Sequence, residues 1–237
     1  MKIFLSLLIA LITLTVTAQQ NPFLMVKKID SPTHISFKSI SERLEKNIPS
    51  IAVDKANWKA FPYAPEVSFK MAHDSEKLYL KFYVTEAHIL AQHSKPNTAT
   101  HRDSCVEFFI DPDQSGGYYN FEFNCIGTTH LAYGPDRYER TFINPQKIKN
   151  SLFIESTLGN QPFEEKSGHF KWEMVVAIPS SIFVQHPNLT FNTLHSKANF
   201  FKCGDDTTKP HYLSWSPIDT PNPDFHRPEF FGNIVFD

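Results

Sequence analysis

The stretch CVEFFIDPDQSGGYYNFEFNCI, residues 105–126, decides the fold of this chain because it predicts a β-hairpin. The turn-forming residues 111–117 separate two runs in which polar and apolar side chains alternate, and this alternation is the period of a half-buried strand. One face of the hairpin carries Val106, Phe108, Ile110, Tyr119, Phe121, Phe123 and Cys125. We expect this face to lie against the core.

Pairing the two apolar faces fixes the register, since a one-residue slip would bury the acidic side chains. Glu107 is then expected opposite Glu122, and Cys105 opposite Asn124. Cys105 and Cys125 should point to opposite faces, so a disulfide between them is not expected. A face that gathers two glutamates with Asn120 and Asn124 predicts the floor of a groove.

Similar short runs, rich in aromatic and β-branched residues and bounded by turns, continue along the chain. They span residues 66–71, 78–84, 152–157, 170–178, 198–202, 212–215 and 232–236. One short helix is expected at 39–46, within a polar lead-in at 19–50. We therefore predict an all-β fold over residues 19–237: a single antiparallel β-sandwich of jelly-roll or immunoglobulin-like two-sheet architecture, with long loops.

The first 18 residues are typical of a secretory signal peptide. Lys2 precedes an apolar run, and Val16-Thr17-Ala18 offers small residues at a cleavage site. Later stretches are too polar to span a membrane after signal removal. We expect the protein to be secreted or periplasmic. Its net charge of −2 carries no basic footprint for nucleic acid.

Facing carboxylates are the sharpest chemical signal. Cross-strand side chains lie about 4.5–5.5 Å apart at Cβ, and retaining glycosidases hold two carboxyl groups about 5–5.5 Å apart. Glu107 and Glu122 could therefore serve as acid and nucleophile. Alternatively, both carboxylates are solvated or accept hydrogen bonds from cations or from sugar hydroxyls.

Calcium is the cofactor considered. Asp111 and Asp113 stand at alternate positions of a turn near Gly116, although the turn lacks the bidentate Glu of a full calcium loop. An ordinary turn explains the same residues. The histidines show no zinc-binding spacing.

The segment PNPDFHRP, residues 221–228, places an aromatic ring beside polar groups on a proline-stiffened loop. Sugar rings pack their C–H faces on aromatic planes, and their hydroxyls need planar polar partners. This segment therefore suits a saccharide site. It could equally be a plug that covers the end of the sandwich and buries Phe225.

Five blocks together resemble the family 9 carbohydrate-binding modules, specifically the larger bacterial proteins similar to that family. The blocks are HRDSCVEFFID at 101–111, YYNFEFNCIG at 118–127, NFFKCGD at 199–205, LSWSPI at 213–218 and DFHRPEFFG at 224–232. The resemblance implies a β-sandwich that holds saccharides between two aromatic side chains. It also implies calcium in some members.

Residue by residue, the resemblance implies that His101 and Phe225 occupy the positions of the two aromatic side chains. It implies that Glu107 contacts sugar, and that Asn222, Lys202 and Lys209 stand where polar contacts are made. Glu122 stands where some members have an arginine.

The leading interpretation is a non-catalytic saccharide-binding domain linked to polysaccharide utilisation, binding an oligosaccharide or polysaccharide beside glycan-degrading enzymes. Its expected ligand-binding residues are His101, Glu107, Glu122, Asn124, Lys202, Lys209, Asn222 and Phe225. The alternatives are a glycoside hydrolase using Glu107 and Glu122, a haem protein ligated through Met71 and a histidine, and a structural or surface-assembly role.

Overall fold

The computed structural model describes residues 21–237, which form thirteen strands and two α-helices. The predicted signal peptide, residues 1–18, lies outside the described residues. The elements are β1 Phe23–Lys28, α1 Phe37–Asn47, β2 Ile51–Ala52, β3 Glu66–His73, β4 Lys77–Ala91, β5 Cys105–Asp111, β6 Tyr118–Asn124, β7 Thr129–Gly134, β8 Thr141–Phe142, α2 Pro145–Ser151, β9 Phe153–Ser156, β10 Phe163–Pro179, β11 His195–Cys203, β12 Tyr212–Ser214 and β13 Gly232–Phe236.

The strands form two sheets that share β1. The first sheet has the order β8-β7-β6-β5-β11-β13-β1, and the second continues as β1-β3-β4-β10-β9. The predicted β-sandwich is thus confirmed, with one correction: the sheets are mixed rather than wholly antiparallel. β1 pairs in parallel with β13 through its first residues and with β3 through its last.

The central hairpin has the predicted register. Glu107 pairs with Glu122, and Cys105 pairs with Asn124. The apolar face of β5 and β6 packs in the core between the sheets. There the ring of Phe200 from β11 stacks on Phe69 of β3 at 3.6 Å between centroids and on Phe108 of β5 at 4.9 Å. These rings connect the two sheets.

Two further layers cover the outer faces of the sandwich. Helix α1 packs Ile40 and Leu44 against Tyr79 and Val175 of the second sheet. Loops around Trp58, Ile218, Phe225 and Phe231 cover part of the first sheet. None of the helices within residues 21–237 is long and apolar enough to cross a membrane.

Helix α1 is held by a cap at one end and by an ionic contact near the other. The side chain of Ser36 accepts from the Ser39 amide, and the Ser39 hydroxyl accepts from the Ser36 amide. Glu45 contacts the Nζ atoms of Lys70 at 2.6 Å and Lys81 at 2.9 Å. It also accepts a hydrogen bond from Tyr83. Burial would raise the pKa of Glu45, but these donors lower it to about 2.

Replacing Glu45 by Gln should lower the urea unfolding midpoint at neutral pH, because α1 then loses its ionic contact with the second sheet. The folded-state pKa is depressed, so the contribution is fully present above the ordinary value of 4.5 and is lost as pH falls towards about 2. The difference in midpoint between parent and variant should therefore shrink over that range. Glu42→Gln, on the exposed side of α1, is the matched control and should show a smaller difference at every pH. A Glu45→Gln difference that does not vary with pH would contradict the prediction.

Candidate binding site

Three neighbouring strands of the first sheet provide the floor of the candidate site. Side chains at alternate positions of β5, β6 and β11 point away from the core, which places Glu107, Glu122 and Cys203 on one outer face. Cys105 lies directly opposite Cys203, because β5 pairs with β11. The alternation that buries the phenylalanines therefore delivers acids and thiols to the opposite side.

Three chain segments provide the walls. A 3-10 turn at Thr100–Arg102 carries His101, the segment between β7 and β8 carries Arg137 and Arg140, and residues 216–231 carry Phe225. The Phe225 ring stacks on Phe201 of β11, with 4.2 Å between centroids and an interplanar angle of 11°.

Polar contacts fix the last of these segments over the floor. Arg137 Nη2 lies 2.6 Å from Asp224 Oδ1. Burial and the nearby Arg140 lower the pKa of His226 to about 3, so its imidazole is neutral. His226 Nε2 faces Arg140 Nη1 at 3.3 Å, and His226 Nδ1 lies 2.7 Å from the Tyr118 hydroxyl. Since Nε2 must accept from the guanidinium, Nδ1 carries the proton and donates to Tyr118.

Floor and walls enclose a cavity of about 230 Å³. Its lining combines acids, cations and aromatic rings. The lining residues are His101, Glu107, Glu122, Arg137, Arg140, Cys203, Asp205, Tyr212, Pro223, Asp224, Phe225 and His226.

The two facing carboxylates differ in protonation. Burial alone would raise the pKa of Glu122, but the imidazoles of His130 and His101 outweigh it and hold that pKa below its ordinary value. Glu122 also accepts hydrogen bonds from Thr100 Oγ1 at 3.1 Å and Asn120 Nδ2 at 2.8 Å. Glu122 is therefore an ionised acceptor held in place from several sides.

Glu107 is the opposite case. Burial raises its pKa well above the ordinary range, and the charge of Glu122 raises it further. The Cys203 thiol donates to its Oε1 at 3.1 Å. The pair thus presents one carboxylic acid and one carboxylate to the cavity. The Glu122 carboxylate, 3.6 Å from His101 Nδ1, in turn raises the pKa of His101 despite its partial burial.

The structure brings together four of the eight predicted ligand-binding residues: His101, Glu107, Glu122 and Phe225 line the cavity. Asn222 lies just outside it, in an adjoining groove that also contains Asp224. Phe225 fits both interpretations of its loop, as a plug and as part of a site. Its ring is buried against Phe201 and also lines the cavity.

The remaining three residues are placed elsewhere. Asn124 is on the expected face, but its amide donates to His93 O at 2.7 Å and Asp103 Oδ2 at 2.8 Å. Lys209 is an exposed loop residue outside the cavity lining. Placing Lys202 at the site is wrong, because its neighbours Phe201 and Cys203 point to the cavity side and its own side chain points into the core.

Lys202 belongs to a buried polar cluster between the sheets. Its Nζ lies 2.8 Å from Glu86 Oε2, and both side chains have no exposed surface. The same ammonium group donates to His211 Nε2 at 2.8 Å. Burial and the Lys202 charge lower the pKa of His211 to about 2, so its ring is a neutral acceptor. Glu86 is held on its other oxygen by Trp172 Nε1 at 2.7 Å.

The turn between β5 and β6 carries both candidate calcium ligands, Asp111 and Asp113. Asp111 accepts from the Gly116 amide at 2.9 Å. Asp113 accepts from the Ser115 amide, and its other oxygen faces His186 Nε2 at 3.4 Å. Within residues 21–237, the two carboxylates do not converge with a third acidic, histidine or cysteine ligand. Asp111 Oδ1 is buried without a hydrogen-bond partner, and calcium at this turn stays a prediction. Met71, the ligand that the haem hypothesis requires, is a core side chain buried between the sheets.

The chain was compared with known protein families, and one family model matches most of it. The model of carbohydrate-binding family 9 matches residues 39–236. The chain belongs to carbohydrate-binding family 9. No curated protein matches it at a significant level.

Solved structures agree with the family 9 assignment. A candidate carbohydrate-binding protein from Bacteroides uniformis ATCC 8492 is 38% identical, with a TM-score of 0.88 over 92% of this chain and 100% of that chain. A family 9 module from Caldicellulosiruptor kristjanssonii in complex with cellotriose is 11% identical, with a TM-score of 0.57 over 91% of this chain and 93% of that one. A family 9 module from the same organism in complex with glucose is 14% identical, with a TM-score of 0.58 over 91% and 96%. The last two show a shared fold.

Lys202→Met should destabilise the protein by about 3–5 kcal/mol, because it leaves Glu86 buried without its cation. Urea unfolding followed by tryptophan fluorescence measures the change. Adding Glu86→Gln should restore part of the loss, since Gln can still accept from Trp172 and carries no charge. Lys209→Met, on an exposed loop, should stay within about 0.5 kcal/mol of the parent. Equal effects of the Lys202 and Lys209 changes would refute the buried-pair assignment.

Proposed function

We propose that this chain is a non-catalytic saccharide-binding domain and that the cavity over β5, β6 and β11 is its binding site. The observation that carries the proposal is the convergence of the Phe225 ring with ionised, neutral and cationic hydrogen-bonding groups in one small enclosed space. Ligand pockets of this kind combine an apolar surface with a few convergent polar groups.

Each group has a distinct task in this proposal. Phe225 offers a flat apolar face to the C–H surface of a sugar ring. Glu122 accepts hydroxyl hydrogen bonds, while the Glu107 acid can both donate and accept. Arg140 and Arg137 donate to ring or hydroxyl oxygens. His101 closes the side of the cavity next to Glu122.

The ligand class follows from chemistry and from relatives. A neutral polyol suits a site in which acids and cations balance one another. The Caldicellulosiruptor kristjanssonii modules of the same fold were solved with glucose and cellotriose, so we propose glucose-containing oligosaccharides as the first ligands to test.

We also propose export and a role in polysaccharide utilisation. Residues 1–18 would act as a signal peptide, so the mature protein would begin at Gln19 in a secreted or periplasmic location. Glycan-degrading enzymes would then be its working partners. Mass spectrometry of the mature N-terminus, in cells that secrete the protein, tests the cleavage.

Phe225→Leu should weaken saccharide binding about tenfold, which corresponds to about 1.4 kcal/mol. Leu keeps an apolar plug of similar volume and removes the flat ring. Isothermal titration of glucose, cellobiose and cellotriose measures the affinity, and a wider glycan array extends the search if these three fail to bind.

Phe230→Leu is the matched control, because Phe230 lies in the same segment, packs on the same aromatic cluster and is not part of the cavity lining. It should bind as the parent does. If the parent binds no saccharide on the array, or if Phe225→Leu and the parent bind equally, the proposed site is wrong.

The unequal protonation of Glu107 and Glu122 favours glycoside hydrolysis as a second candidate function. A protonated acid facing a carboxylate is the pairing that such an enzyme needs. Incubation with nitrophenyl glycosides and cello-oligosaccharides separates the two functions. A binding domain gives no turnover in the parent. A hydrolase gives turnover that Glu107→Gln abolishes while saccharide affinity is retained.

A further inference from the structure

The floor of the cavity contains two thiols that the saccharide proposal does not use. Cys105 and Cys203 are register partners on the neighbouring strands β5 and β11, and both are free and buried. Cys125, the third cysteine, lies in the core, where its thiol donates to Leu90 O at 3.5 Å. The first two therefore form a pair, and the third provides an internal comparison.

Glu107 completes a three-ligand cluster with the paired thiols. Its Oε1 lies 3.1 Å from Cys203 Sγ and 4.0 Å from Cys105 Sγ. One donor atom from each of the three residues lies within 4.8 Å of the other two. A tetrahedral zinc ion, with bonds of about 2.0–2.3 Å, spaces its ligand atoms about 3.3–3.8 Å apart. The separations of Glu107 Oε1 from the two Sγ atoms, 3.1 Å and 4.0 Å, lie on either side of that range.

The cluster has an open side. Cys203 and Glu107 both line the cavity, whereas Cys105 lies beneath it. A metal held by these three residues would therefore keep its fourth position directed at the cavity, where water or a ligand hydroxyl can reach it. Three protein ligands and one open position is the arrangement of an accessible zinc site rather than of a closed structural one.

We propose that Cys105, Cys203 and Glu107 form a site for a soft divalent cation of the zinc class at the floor of the cavity. Two thiolates select such ions over calcium and magnesium, which prefer oxygen ligands. Binding converts two thiols and one carboxylic acid into metal ligands and releases three protons, so the bound cluster carries a net charge of −1. The Arg140 guanidinium lines the same cavity and offsets that charge.

The thiols have no other evident use in the described chain. Burial raises the pKa of Cys105 to about 12 and raises that of Cys203 well above its ordinary value. Both are therefore neutral and poor nucleophiles without a metal. A bound cation would stabilise their thiolate forms directly.

Cobalt(II) is the probe that tests the proposal, because thiolate ligation gives a charge-transfer absorption band in the near ultraviolet. The reduced parent protein should bind one cobalt ion with this band, and added zinc should displace it. Thiol titration of the denatured parent should find three free thiols. Cys203→Ser and Cys105→Ser should lose the band, while Cys125→Ser should keep it.

The Cys→Ser variants could lose the band because they fail to fold. Glu107→Gln is a more conservative variant, since it keeps both thiols and nearly the same shape. It should keep the band and weaken cobalt affinity at least tenfold. The proposal is overturned if the reduced parent shows no band, if the band survives Cys203→Ser, or if Cys105 and Cys203 are joined in a disulfide that reductant does not open. Saccharide affinity is measured separately, by titration with a chelator present so that no metal is bound. The metal site and the saccharide site can therefore each be refuted without affecting the other.

Discussion

Side-chain alternation along β5, β6 and β11 determines both the core and the site. In these three strands, one set of side chains fills the space between the sheets with stacked rings, and the other set forms the cavity floor. A shift of one residue in β5 or β6 would exchange an apolar side chain for a glutamate in the core, and the free energy of burying a carboxylate there opposes it. The same strand alternation therefore both stabilises the sandwich and places the acids in the cavity.

The buried pair of Lys202 and Glu86 shows how far this constraint extends. Alternation sends Lys202 into the core, so the protein places a carboxylate, a neutral imidazole and an indole around its charge. Such a cluster contributes little net stability compared with apolar packing, but losing one partner is costly. It also lies directly behind the cavity floor, where Cys203 follows Lys202 in β11. The position of the floor thus depends on polar groups that a ligand never touches.

The sequence was sufficient for features that depend on local period and insufficient for those that depend on distant contacts. The β5–β6 register followed from alternation, and the short helix expected at 39–46 lies within α1. The resemblance placed Lys202 at the site, but alternation along β11 puts its side chain on the core side, opposite to those of Phe201 and Cys203. Strand β1 carries a short apolar run, Phe23–Val26, but nothing local indicates that it pairs in parallel with both sheets. Arg137 and Arg140 lie in a loop without a periodic signal, and only the folded chain brings them to the cavity.

These two arginines change how Glu122 is understood. The resemblance to family 9 implies an arginine at that position in some members, and a carboxylate there reverses the charge of the floor. The folded protein supplies guanidinium groups from the opposite wall, through the segment between β7 and β8, and anchors one of them to Asp224. The cavity therefore retains both hydrogen-bond donors and acceptors. Here the strand provides the acceptor and the loop provides the guanidinium donors. Because the loop residues are more exposed than Glu122, the donors can adjust to a ligand while the acceptors on the floor stay fixed. Ligand choice within this fold should accordingly depend more on the loop than on the sheet.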